Sequence, residues 1–414
     1  MSIKELTKEE FNEFQNKNIL GSFYETSEYG DLMSKYDYKV DYYGYIENDS
    51  IVAAFLLLSK SISLNVKYGY SPRGFLINYF DNNLLERFTT EVKKYFNKKG
   101  YAFIKINPII VLNEVKYNGE KTLNPMCNTL INNLENLGYK KLKDNLYFES
   151  MLPRFNPIVN LKLFDKNNLD NKLKNKLNRL NSKGLNLVKG DFYNLNSLYE
   201  LTYRKDNISS EFYKTMYKIF DEKKLIDLFL VEVNYHEYLL NLQKEHSSEE
   251  VINEKINKLL QMSPNNRSIF NEKMNSDKKL NEINEEIHEV NVKIANGIFK
   301  EIVAGALLVK HNNVVSIFTS GFNKKYNKVL PNHYLHYSLI NYYKENNYSF
   351  LDLNGISGDF SKDSPYKGLN EFKLSWLPKV YEYIGEFDLI IKENKYSLLW
   401  STKRLHKEFE KKGV

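Results

Sequence analysis

The chain has 414 residues, of which 42% are hydrophobic and 27% are charged, and its formal net charge at pH 7 is +7. These proportions are ordinary for a soluble globular protein, and a chain of this length favours two or three domains with a sizeable core. The moderate positive charge is compatible with a polyanionic partner but does not require one.

Cysteine content and hydropathy restrict the class of protein further. The single cysteine, Cys127, excludes an intrachain disulfide and a cysteine metal site, and its helix-like surroundings predict inert packing. Thr7 and Glu10 form a capping box that opens a helix, with no apolar signal core behind it. The longest apolar run, residues 51–58, is far shorter than the roughly 20 residues of a membrane span. We therefore predict a cytoplasmic protein whose membrane contact, where there is one, is peripheral at the inner face.

The first half of the chain predicts a hairpin, a helix and a strand. Residues 40–47 and 51–59 alternate as strands do, and the polar pair Asn48–Asp49 separates them. Residues 84–98 have helical periodicity, and the apolar residues 100–108 end at a proline and predict a buried strand.

The second half repeats this order. A strand is predicted over residues 228–233, a hairpin over 302–310 and 314–319, a helix over 333–344 and an apolar strand over 348–355. Two similar modules of this kind predict an α/β (α+β) protein with two mixed sheets.

An inserted segment separates parts of the second module. We place the first domain at residues 1–150, with residues 386–414 packing back on it, the second at 151–234 and 301–385, and a helical arm at 235–300.

The arm has heptad periodicity and little net charge. Leucine, isoleucine and valine recur at intervals of three and four residues, at Leu280, Ile283, Ile287, Val290 and Ile294. An antiparallel coiled coil is predicted, and two ordinary helices packed on the domain are the alternative. Residues 236–300 contain nine cations and eleven anions, a net charge of −2 without histidine. This balance favours a protein-contact or positioning role over a primary tRNA clamp.

A basic ridge follows one predicted helix, residues 169–183. Leucines recur on the face that should meet the core. Four cations recur at the same interval beside them, at Lys172, Lys176, Arg179 and Lys183. A solvated basic face is one interpretation of this ridge, and contact with substrate or tRNA phosphate is the other.

Conventional nucleophile and metal signatures are missing from the sequence, which has no G-x-S-x-G elbow, P-loop or H-E-x-x-H helix. His333 and His336 lack the companions of a metal site, so neither a metal nor another cofactor is predicted. A strand that ends near Gly355 and Gly358 can bring backbone amides to a sheet edge, where anions or acyl oxygens are held.

Several segments together resemble the FemABX family of peptidoglycan bridge-forming aminoacyltransferases. In that family the second module ends with a "YDLxGI" strand, a glycine and then "FK". The matching segments here are residues 351–358, Gly368, Phe372–Lys373, 383–387, 71–74 (Ser-Pro-Arg-Gly), 106–108, the basic ridge and 201–204. The resemblance covers essentially the whole chain, and the arm matches the staphylococcal Fem-like branch.

The resemblance implies two GNAT-like (acetyltransferase-like) domains, aminoacyl-tRNA as donor and a muropeptide amine as acceptor. The acceptor is lipid II or a UDP-linked muropeptide, the transferred residue is Gly, Ala or Ser, and related transferases are expected to associate as homo- or hetero-oligomers. An aminoacyl ester is already activated, so the acceptor amine attacks it directly. The implied catalytic residues are Lys373, which stabilises the oxyanion, and His333 with Tyr334, which stand where the family has a tyrosine. Arg204 is implied to hold precursor phosphate. Arg73, Gly355, Gly358 and Asn107 complete the substrate-binding set.

The sequence departs from the family pattern at the position of a possible general base. Asn107 replaces an aspartate of the family, and an amide cannot act as a general base. Two alternative functions stay open. An acetyl-CoA-dependent N-acyltransferase needs a glycine-rich pyrophosphate turn, and residues 324–331 contain no glycine. A non-catalytic scaffold that presents the arm is the other alternative.

Overall fold

The structure is a computed structural model that describes residues 1–63, 66–148, 151–203 and 208–401. The strands of this part of the chain are β1 (Ser2–Glu5), β2 (Lys39–Glu47), β3 (Ser50–Ser63), β4 (Val66–Ser71), β5 (Tyr101–Ile106), β6 (Val111–Val115), β7 (Lys121–Leu123), β8 (Tyr139–Lys141), β9 (Phe155–Asn160), β10 (Leu185–Gly190), β11 (Ile226–Asn234), β12 (Lys300–His311), β13 (Val314–Phe322), β14 (Phe350–Asp352), β15 (Lys379–Tyr383) and β16 (Phe387–Ile390).

The α-helices of the same residues lie between and around these strands. They are α1 (Lys8–Lys17), α2 (Ser27–Ser34), α3 (Asn82–Lys98), α4 (Met126–Asn136), α5 (Asn171–Leu180), α6 (Leu195–Thr202), α7 (Ser210–Asp221), α8 (Tyr235–Met262), α9 (Arg267–Ala295), α10 (Pro331–Glu345), α11 (Lys367–Leu374) and α12 (Glu393–Ser401).

The strands form two mixed sheets. The first has the order β1-β2-β3-β4-β5-β16-β8 and the second β10-β11-β12-β13-β14-β9-β15-β6-β7. Each sheet contains a parallel pair joined by a helix: α3 connects β4 to β5, and α10 connects β13 to β14. The predicted repeat and the α/β class with two mixed sheets are confirmed.

Local sequence signals explain much of this order. Asn48, Asp49 and Asn312 have positive φ in the two hairpin turns, a conformation that asparagine and aspartate tolerate well. The Thr7 side chain accepts a hydrogen bond from Glu10 N, and Glu10 accepts one from Thr7 N, so the predicted capping box is formed.

Sheet membership differs from the predicted domain boundaries. Strands β6 and β7 lie within residues 1–150 but extend the second sheet, because β6 pairs with β15. Strand β16 lies in the first sheet between β5 and β8, on the side of the molecule where residues 386–414 were predicted to pack. Each sheet therefore receives strands from distant parts of the chain.

A shared apolar core joins the two sheets. Leu56 and Leu58 of β3 belong to the same buried cluster as Leu307 of β12 and Met216 of α7, all with 0% exposure. Helices α1 and α2 pack on β2 and β3, α6 packs on β12 and β13, α7 packs on β11, and α2 contacts α7 across the cluster. The two modules are consequently held together by continuous hydrophobic packing.

The arm consists of α8 and α9, which lie side by side and are joined by a turn at residues 263–266. Near its base, Leu242, Ile283 and Val290 are buried in the core of the second module. Farther out the contacts are polar, since Glu249 accepts a hydrogen bond from Ser276 at 2.6 Å. No helix in the described residues is long and apolar enough to cross a membrane.

Candidate functional site between the two modules

The chain turns sharply after β14, at Asp352–Gly355. The Asp352 carboxylate accepts a hydrogen bond from Asn354 N at 2.8 Å, and Asn354 has φ +64°. This is an Asx turn, in which an aspartate side chain replaces a backbone acceptor. It stops the strand abruptly and leaves Asp352 at the end of the sheet.

Gly355 and Gly358 were predicted to offer free backbone amides to a substrate, and the structure does not support this prediction. Gly355 N donates to Asn354 Oδ1 at 2.7 Å, and Gly358 N donates to Leu146 O at 2.6 Å. A Cβ on Gly355 would overlap Pro153, and one on Gly358 would overlap the Phe155 ring. These glycines are required for close packing, and both amides are already used.

Lys373 lies on α11 directly beside this turn. Its Nζ donates to Gly355 O at 2.8 Å and to Asn354 O at 3.3 Å, and the residue is only 8% exposed. The lysine thus satisfies two carbonyls of the turn and brings a positive charge to the end of β14. Its oxyanion role stays a prediction.

Arg73 reaches the same region from the first module. Its backbone N donates to Asn107 Oδ1 at 2.8 Å, and its Nη2 donates to Pro153 O at 2.9 Å. The guanidinium also stacks over Tyr383, 5.0 Å from the ring centroid. Asn107 therefore holds the backbone at Arg73, which has φ +58° and is 5% exposed.

A cavity of 140 Å³ lies between the modules, and Arg73 and Asp352 both line it. We call it the interdomain cavity. Apolar side chains form most of its wall, among them Phe23, Ile158 and Phe318. Its other polar lining includes Ser22, Tyr24, Asn156, His311, Asn354 and Tyr383.

Burial dominates the electrostatics of this cavity. Burial raises the pKa of Asp352, while Arg73 and Lys373 oppose the shift. The pKa of Tyr24 and of Tyr383 is raised by burial, and Arg73 lowers each of them in part. Glu25 behind the wall is fully buried, and burial raises its pKa well above the usual range. Such shifts are typical of functional sites.

The basic ridge lies elsewhere, on α5 and against α10. Lys172 and Arg179 are exposed, whereas Lys176 Nζ lies 3.3 Å from His333 Nε2. Burial and the Lys176 charge lower the pKa of His333 to about 4, so the imidazole is neutral near pH 7. We call Lys172, Lys176 and Arg179 the α5 surface.

The prediction that Lys183 belongs to the exposed ridge is wrong. The helix ends at Leu180, and Lys183 is buried with its Nζ 2.8 Å from Glu286 Oε2 and 3.1 Å from the Tyr238 hydroxyl. Its charge is neutralised by the arm, so it does not extend the exposed ridge toward a phosphate. The ion pair instead ties the arm to the second module.

His333 and Tyr334 do not line the interdomain cavity. The His333 ring packs perpendicular to Phe372, with centroids 5.2 Å apart. Tyr334 lines a separate cavity of 340 Å³ between α5 and α10, and burial raises the pKa of its hydroxyl. The structure thus separates these two from Arg73 and Asp352. Arg204 lies outside the described residues.

Sequence reasoning missed several residues of the cavity. Asp352 belongs to the quoted motif, and a carboxylate at the end of an apolar strand could have identified it. Tyr383 lies in the quoted segment 383–387 but was not assigned to a site. Tyr24 and Asn156 carry no local signal, because their positions depend on contacts between distant segments.

The fold consists of two similar α/β modules with mixed sheets, and a solved structure described as "Crystal structure of FemX" shares it. That structure has a TM-score of 0.74 and 20% identity, over 96% of this chain and 100% of that one. The sequence model of the FemAB family matches residues 6–404. The chain belongs to the FemAB family.

Two sequence relatives extend over nearly the full length. Aminoacyltransferase FemA of Staphylococcus epidermidis is 27% identical over 423 residues, which cover 98% of this chain and 100% of that protein. Aminoacyltransferase FemA of Staphylococcus aureus is 24% identical over 425 residues, with 98% and 99% covered.

Proposed function

We propose that this protein transfers Gly, Ala or Ser from aminoacyl-tRNA to the stem-peptide amine of a peptidoglycan precursor, either lipid II or UDP-MurNAc-pentapeptide. The observation that carries this proposal is the FemAB match over residues 6–404, together with relatives named aminoacyltransferases. Membership of the family makes the protein an acyltransferase of peptidoglycan bridge formation.

The chemistry requires no protein nucleophile. The amine of the acceptor attacks the ester carbonyl of the donor directly, and the tRNA hydroxyl leaves. Cys127, the single cysteine of the chain, is buried, its thiol donates to Val111 O at 3.2 Å, and burial raises its pKa. It is therefore inert, which agrees with direct transfer.

The two polar regions suit the two substrates of such a reaction. The interdomain cavity is narrow and partly apolar, so it suits the reacting ends of a peptide and an aminoacyl group. The α5 surface presents exposed cations, which suit a phosphate backbone. Lys373 lies at the turn after β14, and we assign its ammonium to the oxyanion that forms during attack.

Segment 324–331 supports a donor other than acetyl-CoA. Residues Lys324–Val329 form a 3-10 helix directly before α10. Its backbone amides do not form the open glycine-rich loop that binds pyrophosphate.

A transfer assay tests the proposal. Purified protein is combined with tRNA charged with labelled Gly, Ala or Ser and with each acceptor in turn. We expect label in the muropeptide, abolished by ribonuclease and unaffected by acetyl-CoA. Transfer that survives ribonuclease and follows acetyl-CoA would refute the assignment.

A further inference from the structure

The wall of the interdomain cavity contains a group of hydrogen-bond acceptors. Asn156 Nδ2 donates to both carboxylate oxygens of Asp352, at 3.1 and 3.2 Å. Because the amide nitrogen is directed at Asp352, the Asn156 Oδ1 is left buried, with no partner among the described residues. Ser22 Oγ, which belongs to the same wall, is likewise buried and unpaired within the described chain.

Buried acceptors without donors are costly unless a ligand or water supplies the missing N–H or O–H groups. Asn156 is 4% exposed, whereas Asp352 is partly exposed. Both residues line the cavity, so a ligand that enters it meets the carboxylate and lies beside the amide group of Asn156. A group with two or three N–H donors matches this arrangement.

The cations near Asp352 determine which form of such a group is favoured. Arg73 lines the cavity together with Asp352, and Lys373 Nζ lies 3.3 Å from Asn354 O, two residues beyond Asp352 in the turn, so two cations lie near this one carboxylate. His311 adds no charge near neutral pH, because burial lowers its pKa to about 4. Tyr24 and Tyr383 stay neutral, since burial raises the pKa of each hydroxyl. A second ammonium is disfavoured beside two cations, whereas a neutral amine is not.

We propose that the interdomain cavity binds a primary amine in its unprotonated form, with Asp352 and Asn156 accepting its N–H groups. The volume of 140 Å³ fits the end of a chain rather than a sugar or a nucleotide, and the apolar wall packs against the methylenes that carry the amine. An unprotonated amine is the form that attacks an ester, because its lone pair is free. The inference deepens the proposed function and rests on it for the origin of the amine.

Two substrates of that reaction carry a primary amine: the acceptor, on its stem peptide, and the donor, on its aminoacyl group. Two probes separate them. Nα-acetyl-lysine amide, labelled with ¹⁵N at Nζ, represents the acceptor, and glycine methyl ester, labelled with ¹⁵N, represents the donor. Nα-acetyl-norleucine amide has the acceptor's chain without the amine.

The experiment measures binding and protonation of each probe by NMR, with no tRNA present. We expect one amine probe to bind at least about 10-fold more tightly than the norleucine compound. Its pKa should fall by about one pH unit on binding, a shift that a purely structural role of Asp352 would not produce. Equal binding of the norleucine compound, or an unchanged amine pKa, overturns the inference.

Substitutions assign the effect to the cavity. Asp352→Asn should weaken binding of the amine probe about 10-fold or more, and Asn156→Ser should weaken it several-fold. Asp359→Asn is the matched control, because this aspartate is outside the cavity and accepts from Ser361 N at 3.0 Å. Asp352 also accepts the Asn354 N–H of the turn, so the thermal stability of each variant is measured beside its titration. Asn156→Ser leaves that turn hydrogen bond in place and tests the cavity separately from the turn.

The outcomes for the two proposals are separable. If the amine probe binds as expected but no transfer from aminoacyl-tRNA occurs, the proposed function fails and the amine site stands. If transfer occurs and folded Asp352→Asn and Asn156→Ser proteins bind the probe as tightly as the unaltered protein, the amine site is wrong and the proposed function stands.

Discussion

The interdomain cavity and the α5 surface both carry cations, but they hold them differently. Arg73 lines the cavity, is 5% exposed, and is fixed by Pro153 O and the Tyr383 ring. Lys373 lies beside the cavity at the turn after β14, is 8% exposed, and is fixed by the carbonyls of Asn354 and Gly355. On the α5 surface, Lys172 and Arg179 are exposed. Lys176 is restrained there by His333, whose Nε2 lies 3.3 Å from its Nζ.

This difference indicates what each region can recognise. A buried cation with fixed partners acts at short range in a low dielectric and selects a small group in one orientation. An exposed cation on a flexible stem acts through screened attraction and tolerates many arrangements of phosphate. We expect the cavity to control reaction chemistry and the α5 surface to control affinity.

The largest effect is expected for Lys373→Met, which removes the charge at the end of β14. The kcat should fall by about 10²–10³, with KM changed little, because an oxyanion donor acts mainly in the transition state. The carbonyls of Asn354 and Gly355 also lose this donor, so the free energy of unfolding should fall by about 1–3 kcal/mol.

Steady-state kinetics and denaturant unfolding measure these two changes. Lys367→Met on the same helix is the control. Lys367 is exposed, and its ion pair with Glu371 is long, with 4.0 Å between Nζ and Oε1. Nearly full turnover of a folded Lys373→Met protein would show that the lysine is structural or a different substrate contact.

Arg73→Met should destabilise the fold more than the same change at a surface arginine. It removes a charged donor to Pro153 O, and a hydrogen bond of this kind contributes about 1.5–3 kcal/mol. Arg87→Met is the matched control, because Arg87 forms a partly exposed pair with Glu47 at 2.8 Å, and solvent screens such pairs so that they contribute little to stability. Equal losses of unfolding free energy would contradict the contrast between buried and exposed cations.

The double change Lys172→Gln and Arg179→Gln should weaken tRNA binding without loss of stability. Two fewer phosphate contacts should reduce the slope of log affinity against log salt by about 1.4–1.8. Filter binding of uncharged tRNA at several salt concentrations measures this slope. Lys94→Gln with Lys98→Gln on α3 removes two exposed lysines from the first module and should have no such effect. If the unaltered protein and both double variants have the same slope, the α5 surface is a solvated basic face that does not contact tRNA phosphate.

The smallest effect concerns the protonation of His333. Lys176→Gln should raise the pKa of His333 from about 4 part of the way toward 6.5, because the Lys176 charge is one of its two causes and burial, the other, stays. His311 should not change, since burial and Glu28 determine its pKa. NMR titration of the imidazoles measures both values. Lys174→Gln, whose lysine instead donates to Asn167 O, is the control.

The same shift affects stability in a defined direction. The pKa of His333 is lower in the folded state than the unfolded value of 6.5, so the unfolded state binds the proton more readily between pH 6.5 and 4. The contribution of His333 is therefore present above pH 6.5 and is lost as pH falls toward 4. Lys176→Gln should make this loss smaller, and a steeper loss would contradict the assigned cause.

Some elements of the fold follow from signals that lie close together in the sequence. The capping box at Thr7, the hairpin turns at Asn48–Asp49 and Asn312, and helix α10 each depend on residues within a few turns or strand pairs. Hydrophobic periodicity and turn propensity act over such distances, so these elements and their repeated order could be predicted. The motif around Asp352 also identified the family.

The folded structure was needed to show which distant residues meet. It placed β6 in the second sheet, paired Lys183 with Glu286, and brought Arg73 to the cavity that Asp352 also lines. The separations are 103 residues for Lys183 and Glu286 and 196 for Asn156 and Asp352. No local propensity specifies such contacts, because they arise when apolar surfaces of both modules are buried together and the polar groups between them find partners.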